Sequence, residues 1–174
     1  EDGASAVVEL AHQILAIDAL VDLDRGITTN VAPIAGGTRP NVIAQAASCE
    51  IDLRVPTVED GQRIEAAILG LKARNPRCRV TVTGAMNRPP FAETPGTLAL
   101  YERARAIAAG IGFELPKRHR GGGWDGNFTA VMGIPTLDGL GCPGSGAHAD
   151  HEHILWRELA PRAALMLGLL ETLA

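Results

Sequence analysis

Three cysteines, Cys49, Cys78 and Cys142, are all that 174 residues contain, and their odd number and wide spacing fit neither a disulfide framework nor a Cys-x-x-Cys metal site. They read as reduced thiols of an intracellular, cytoplasmic protein. No apolar run is long enough to span a bilayer and no signal-peptide pattern opens the sequence as given, so no membrane partner is expected. An excess of positive charge is missing as well. The net charge of -4 and pI near 5.7 leave no electrostatic footprint for nucleic acid. There is no initiator methionine, and Glu1-Asp2-Gly3 leads directly into a helical pattern, as expected of a chain cut out of something longer.

What is present is ordinary for a soluble globular protein: 46% apolar and 21% charged residues, in a length that holds one domain or two small ones. Val7, Leu10, Ala11, Ile14 and Leu15 recur at helical spacing and predict a helix over 4–17, with Asp2 as N-cap or first-turn acid. Residues 28–34 read as a strand ending at Gly36-Gly37. Residues 42–55 read as a second, because Ser48, Glu50, Asp52 and Arg54 alternate with Cys49, Ile51, Leu53 and Val55. Thr57 to Asp60 form a capping box that opens a helix extending to about Arg74, before Asn75-Pro76. Residues 79–83 alternate as a short strand. Helix, strand, strand, helix, strand is a ferredoxin-like antiparallel α+β unit short of one strand, and the missing strand is expected before Glu1.

Pro89-Pro90 bars both helix and central strand and marks a boundary. Beyond it, Thr94-Pro95 opens a helix ending near Gly110 to Gly112. Short strands are expected at 113–115 and 134–137, a short helix ends at Met132, and a long apolar-faced helix spans 154–173 with Trp156 in the core. Helices alternating with short strands belong to an α/β layer. The richest chemistry lies in Gly141 to His153, where His148, Asp150, His151, Glu152 and His153 share one loop. Imidazole and carboxylate suit zinc, but a catalytic zinc needs three protein ligands and an open position, so the co-ligands of His148 are expected elsewhere.

Four features in register carry a resemblance that extends along essentially the whole chain: Thr29-Asn30-Val31 with Gly36-Gly37 and Asn41-Val42-Ile43; Asp52-Leu53-Arg54; Gly121-Gly122-Gly123-Trp124-Asp125; and Gly146-Ala147-His148 followed by Glu152. Together they resemble the C-terminal portion of the zinc-dependent aminoacylase and carboxypeptidase-G type hydrolases, which include acetylornithine deacetylases and succinyl-diaminopimelate desuccinylases. The resemblance implies an α/β zinc-exopeptidase-type catalytic domain interrupted by a ferredoxin-like lid that dimerises through its sheet edge and helix. Residues 1–85 would be most of that lid, and 86–174 the C-terminal segment of the catalytic domain.

The resemblance further implies two zinc ions in the complete enzyme, with cobalt or manganese as alternatives, and cleavage of an amide bond in N-acyl amino acids, small peptides or folate-like substrates that carry a free carboxylate. His148 falls on a metal ligand, while the general base and the remaining ligands fall upstream of Glu1. Asn41, Arg54 and Arg88 fall on positions that bind the substrate carboxylate or the developing oxyanion, and Gly123 on a backbone contact to substrate. Arginine suits this task because its planar fork meets a carboxylate bidentately and stays charged. Trp124 stands where relatives commonly carry serine or threonine, which bears on pocket size.

Each residue has a plainer reading. His148 would otherwise be a surface loop histidine, with His151 and His153 facing solvent. Asp150 and Glu152 would orient His148 or solvate the loop. Arg54 would be half of a weak surface ion pair, and Asn41 a turn residue. His12 and His119 are taken as structural. The triple glycine lacks the Lys-Ser/Thr of a nucleotide loop. The alternative to a hydrolase is a non-catalytic module that dimerises or binds a ligand, and the supplied chain alone is expected to be inactive.

Overall fold

The computed structural model describes residues 3–118 and 121–173, in two compact units. The expected Asp2 cap and His119 lie outside the described residues. The first unit takes in the chain through Phe91 together with Gly121–Gly123; the second takes Ala92 onward and the chain from Trp124. This is the mixed α/β architecture, with small antiparallel sheets, that the sequence pattern implies.

In the first unit, helix α1 (Ala6–Asp18) is capped by Ser5, whose Oγ accepts from the Val8 amide at 3.4 Å. Strands β1 (Thr28–Gly36) and β2 (Ala47–Arg54) pair antiparallel from Thr28↔Arg54 to Gly36↔Ala47. The register slips between Val31 and Ile34, around Pro33, which has no N–H to give a ladder. The second strand is shorter than the expected 42–55. Its first residues are drawn into the connection, where the Val42 amide bonds Arg39 O and the Gly37 amide bonds Ala46 O. Side chains along β2 alternate half-buried and exposed as their period predicts.

Helix α2 (Val58–Leu69) starts at the predicted capping box. Thr57 Oγ1 accepts from the Asp60 amide at 3.1 Å and donates to Asp60 Oδ2 at 3.0 Å. Burial acts to raise the Asp60 pKa, but hydrogen bonds from Arg63 and Thr57 and the charges of Arg25 and Arg63 outweigh it and hold the carboxyl below its ordinary value. The helix ends at Gly70, short of the expected Arg74. The following turn is held from α1 instead. Glu9 Oε1 accepts from the Arg74 amide at 2.8 Å and from Gln13 Nε2 at 2.6 Å, Glu9 Oε2 accepts from the Asn75 amide at 2.9 Å, and Gln13 Nε2 also donates to Lys72 O at 3.0 Å. These bonds explain why the inward face of α1 carries Glu9 and Gln13 beside Ile17. His12 has a structural setting, its Nδ1 3.2 Å from Arg74 Nη1.

Ile27, Ile64 and Ile68 form the core of this unit, with Ile51, Leu53, Val55 and Val82 packed against it. Residues 79–83 show the expected alternation of burial but join no ladder among the described residues. The three cysteines are unpaired, and burial pushes the Cys49 thiol pKa up, which keeps it protonated.

In the second unit, α3 (Pro95–Ile111) is capped by Thr94 and closed by Gly112 at φ 105°. The Gly112 amide bonds Ala109 O and the Phe113 amide bonds Ala108 O, a Schellman stop that turns 113–115 back onto the helix rather than into a strand. Helix α5 (Leu159–Leu173) packs on α3 through Ala104, Ala108, Leu165 and Leu169, and a Cβ on Gly168 would press on Ile107. Between them lie the short α4 (Gly126–Val131) and a two-residue hairpin, β3 (Gly144–Ser145) with β4 (His153–Ile154). Residues 134–137 form no strand among the described residues. The expected 154–173 helix is divided: Ile154 belongs to β4 and a single 3-10 turn, Trp156–Glu158, precedes α5. Trp156 is 73% exposed, so its assignment to the core is corrected.

Because Glu9 is held below its ordinary pKa of 4.5, mainly by the backbone hydrogen bonds from Arg74 and Asn75, the stability it contributes is present above 4.5 and is lost as pH falls through its lower folded value. Glu9→Gln is expected to lower the denaturation midpoint at pH 7, with the gap to wild type closing on acidification below 4.5; parallel pH profiles would count against the clamp. Ile64, fully buried, is expected to cost about 2–5 kcal/mol when replaced by alanine, read from urea unfolding.

Candidate functional site

The β3–β4 hairpin carries the histidine-rich loop across its tip. The Ala149 amide bonds Gly146 O and the Glu152 amide bonds Ala149 O, so successive turns fold the tip on itself. Gly146, at φ 75°, leaves room for the His151 ring, which a β-carbon there would strike. His148 has φ 67°, the single non-glycine residue with positive φ among the described residues. Such backbone costs about 1–2 kcal/mol for an L-residue. His148, His151 and His153 are all exposed, and His153 Nδ1 donates to His151 O at 2.9 Å. Neither Asp150 nor Glu152 bonds to His148 among the described residues.

No three His, Cys, Asp or Glu side chains converge to hold a metal ion among the described residues. One exposed imidazole does not fit a complete catalytic zinc site, which requires three protein ligands. No chemical step can therefore be built on a metal from these residues alone.

A second constellation lies in the first unit, where Gly121–Gly123 joins the residues through Phe91. Arg88 Nη1 donates to Gly123 O at 3.1 Å, and a Cβ on Gly123 would stand 3.2 Å from Arg88 Cδ. Arg54 lies along the same glycine run, its Cβ and Cδ each 3.7 Å from where a Gly121 Cβ would be. Arg54 Nε also bonds Asp52 Oδ2 at 3.0 Å, an exposed pair that contributes little to stability. Three of the residues singled out in the sequence, Arg54, Arg88 and Gly123, thus meet at one loop. Gly121 joins them as the close neighbour of Arg54, a role the sequence signalled only as a glycine run.

Asn41 is elsewhere. It is exposed in the connection beyond Gly36↔Ala47, whereas Arg54 pairs with Thr28 at the opposite end of the ladder. At about 3.4 Å per residue the seven steps from Ala47 to Arg54 put roughly 20 Å between the two ends of the ladder. Trp124, in the second unit, is 41% exposed, and its amide bonds Asn127 Oδ1 at 3.1 Å.

Residues 1–73 match the peptidase dimerisation domain. Over 172 residues the chain is 29% identical to carboxypeptidase G2 of Pseudomonas sp. (strain RS-16), covering 95% of this chain and 41% of that protein. It is 26% identical over 180 residues to the uncharacterized protein YqjE of Bacillus subtilis (strain 168), covering 100% of this chain and 47% of that one. The crystal structure of aminopeptidase PepT from Bacillus cereus ATCC 10987 superposes with a TM-score of 0.70 at 24% identity, over 97% of this chain and 48% of that one. The chain thus spans less than half the length of each of these relatives.

Replacing His148 separates backbone from side chain. His148→Gly is expected to be more stable than His148→Ala by about 1 kcal/mol, since only glycine adopts positive φ freely; an alanine variant as stable as the glycine variant in thermal unfolding would show that the loop relaxes in solution. With the peptidase dimerisation domain matched over residues 1–73 and 29% identity to carboxypeptidase G2 along almost its whole length, the chain is similar to peptidases of the M20 type.

Proposed function

We propose that the chain is part of a metal-dependent amidohydrolase or exopeptidase that cleaves an amide bond in N-acyl amino acids, small peptides or folate-like substrates. The observation that carries this reading is the meeting of Arg54 and Arg88 at the Gly121–Gly123 loop. Two guanidinium groups beside a side-chain-free backbone suit a substrate with a free carboxylate: the absent β-carbons leave room for the arginines to lie along the loop, and one fork can bind the carboxylate. Arg88 is steadied by Gly123 O and immediately precedes the rigid dipeptide Pro89-Pro90, so its head group is held before substrate arrives.

His148 is assigned as one ligand of a zinc site, or of a cobalt or manganese site, whose other ligands and general base come from a part of the polypeptide not included here. Two ions are expected in the complete enzyme, and this chain alone is expected to be inactive. Residues 1–85 are assigned as the lid and 86–174 as catalytic-domain segment, in a soluble cytoplasmic enzyme. No helix among the described residues is long and apolar enough to cross a membrane.

A homodimer through the lid is the expected assembly. The match of residues 1–73 to a dimerisation domain supports it, as do the outer edge of β1, unpaired among the described residues, and the apolar Val8 and Leu15 on the solvent face of α1, 57% and 66% exposed.

The test uses the product of the complete reading frame, assayed on a panel of N-acyl amino acids with and without chelator. Arg88→Ala is expected to raise KM more than it lowers kcat, and His148→Ala to abolish turnover and reduce bound metal. A His148→Ala protein with normal metal content and rate would overturn the assignment, and absence of metal and turnover in the intact protein would favour the non-catalytic dimerisation module. Leu15→Glu is expected to shift the sedimentation coefficient from dimer to monomer; an unchanged dimer would place the interface elsewhere.

A further inference from the structure

Aspartate followed by glycine is the dipeptide in which a backbone most readily attacks its own side chain, because glycine presents an unhindered amide nitrogen to the carboxyl carbon and closes a small ring. The sequence has four such pairs, Asp2-Gly3, Asp60-Gly61, Asp125-Gly126 and Asp138-Gly139. Asp2 lies outside the described residues. The other three stand in different settings, and the last brings the nitrogen and the carboxyl together.

Asp60 and Gly61 are buried in the first turn of α2. The Gly61 amide is committed to Thr57 O at 3.0 Å, and the Asp60 carboxylate to Arg25 at 2.7 Å, Arg63 at 3.1 Å and Thr57 at 3.0 Å. Ring closure there would break a helical bond and strip a buried carboxylate of its donors. Asp125 is already helical, at φ -68° and ψ -26°, and its carbonyl accepts the Phe128 amide at 3.1 Å. Swinging the Gly126 nitrogen onto the Asp125 carboxyl carbon means turning ψ out of the helical range and losing that bond. Asp138-Gly139, by contrast, lies outside every helix and strand, and both residues are exposed. Neither makes a backbone–backbone hydrogen bond among the described residues. The Gly139 amide instead donates to Oδ1 of Asp138 itself at 2.6 Å, so its nitrogen is aimed at the carboxyl group it would attack. Gly139 has φ 73° and nothing within 4 Å of where a β-carbon would stand, so the approach is open. That φ also keeps glycine at the position, since a residue with a side chain would be strained there.

We infer that Asp138-Gly139 is a site of spontaneous backbone modification, where Asp138 converts to isoaspartate through a cyclic imide. The Gly139 nitrogen bonds to Asp138 Cγ, the bond from Cγ to the carboxyl hydroxyl breaks, and the hydroxyl leaves as water with the proton that the nitrogen gives up. Water then adds to the imide. Opening at Cγ restores aspartate, whereas opening at the former main-chain carbonyl routes the backbone through Cγ as isoaspartate. No oxidant, metal or enzyme takes part. The product has an extra methylene in its backbone and a shorter acidic side chain. Asp138 Oδ2 stands 2.7 Å from the β-carbon position of Gly126, so isomerisation draws this carboxylate away from the start of α4. The inference does not rest on the hydrolase reading, and it makes an isoaspartyl-specific carboxyl methyltransferase the class of enzyme that would recognise the altered residue.

The test is incubation of the protein made from its complete reading frame, both folded and in guanidinium chloride, in water enriched in heavy oxygen, followed by digestion in ordinary water and mass spectrometry. Each imide that reopens takes up one heavy oxygen, and isoaspartate blocks a protease that cuts before aspartate. In the folded protein both signals are expected to accumulate at Asp138 at least about tenfold faster than at Asp60 or Asp125, while in denaturant the three rates converge. An isoaspartyl carboxyl methyltransferase with a labelled methyl donor is expected to mark the same peptide, and Asp138→Glu to remove the mark, because the larger ring that glutamate would form closes far more slowly. Equal rates at the three sites in the folded protein would overturn the inference, as would an Asp138 that takes up no heavy oxygen, or methyl labelling of this peptide that survives in Asp138→Glu.

Discussion

A two-stranded antiparallel ribbon has too little apolar face to hold itself together in water, so the β1–β2 hairpin depends on the burial of Ile27, Ile64 and Ile68 between it and α2. Everything placed by the hairpin inherits that dependence. The alternation along β2 puts Ile51 and Leu53 on the core side and leaves Asp52 and Arg54 on the wet side, which is how Arg54 comes to stand beside Gly121. The position of a proposed substrate-binding residue thus follows from the packing of aliphatic side chains on the opposite face.

Polar groups supply the specificity that this small core lacks. Glu9 reaches from α1 to the amides of Arg74 and Asn75, and Asp60 gathers Arg25 and Arg63 at the first turn of α2. Both carboxylates are enclosed and both are satisfied, so neither is a spare acid or base for chemistry; they tie chain segments 35 to 66 residues apart. The chemistry-bearing side chains are arranged differently. His148 sits exposed on strained backbone at a hairpin tip, and the arginines lie along a loop free of side chains, so all three remain open to solvent while their backbones are fixed by local geometry.

Much of this was legible in the order of the residues. Helix starts were announced by Thr57 and Thr94, whose hydroxyls cap the first turn, and the end of α3 by Gly112, because capping is decided within a few residues. The alternation from Ser48 to Arg54 revealed a strand with one wet face for the same reason. Helix ends that rely on distant partners were not legible: α2 stops at Gly70 because the next turn is claimed by Glu9, 65 residues away. The expected strands at 113–115 and 134–137 are apolar runs whose ladder partners are lacking among the described residues, and apolar character alone does not supply one. Trp156 looked like core because it begins an apolar run, yet the 3-10 turn it occupies faces it to solvent.

The sequence by itself determined the local elements, the family resemblance and the identities of Arg54, Arg88, Gly123 and His148, because caps, periodicity and short motifs depend on neighbours within one turn or one strand. Tertiary structure alone decided which of them meet. It brought Arg54 and Arg88 to the Gly121–Gly123 loop across gaps of 35 residues and more, and it set Asn41 at the far end of the hairpin although only 13 positions separate it from Arg54 in the chain. The reason is that an antiparallel ladder carries residues apart by more than 3 Å per step while a core folds remote segments together, and neither displacement is encoded at any single position.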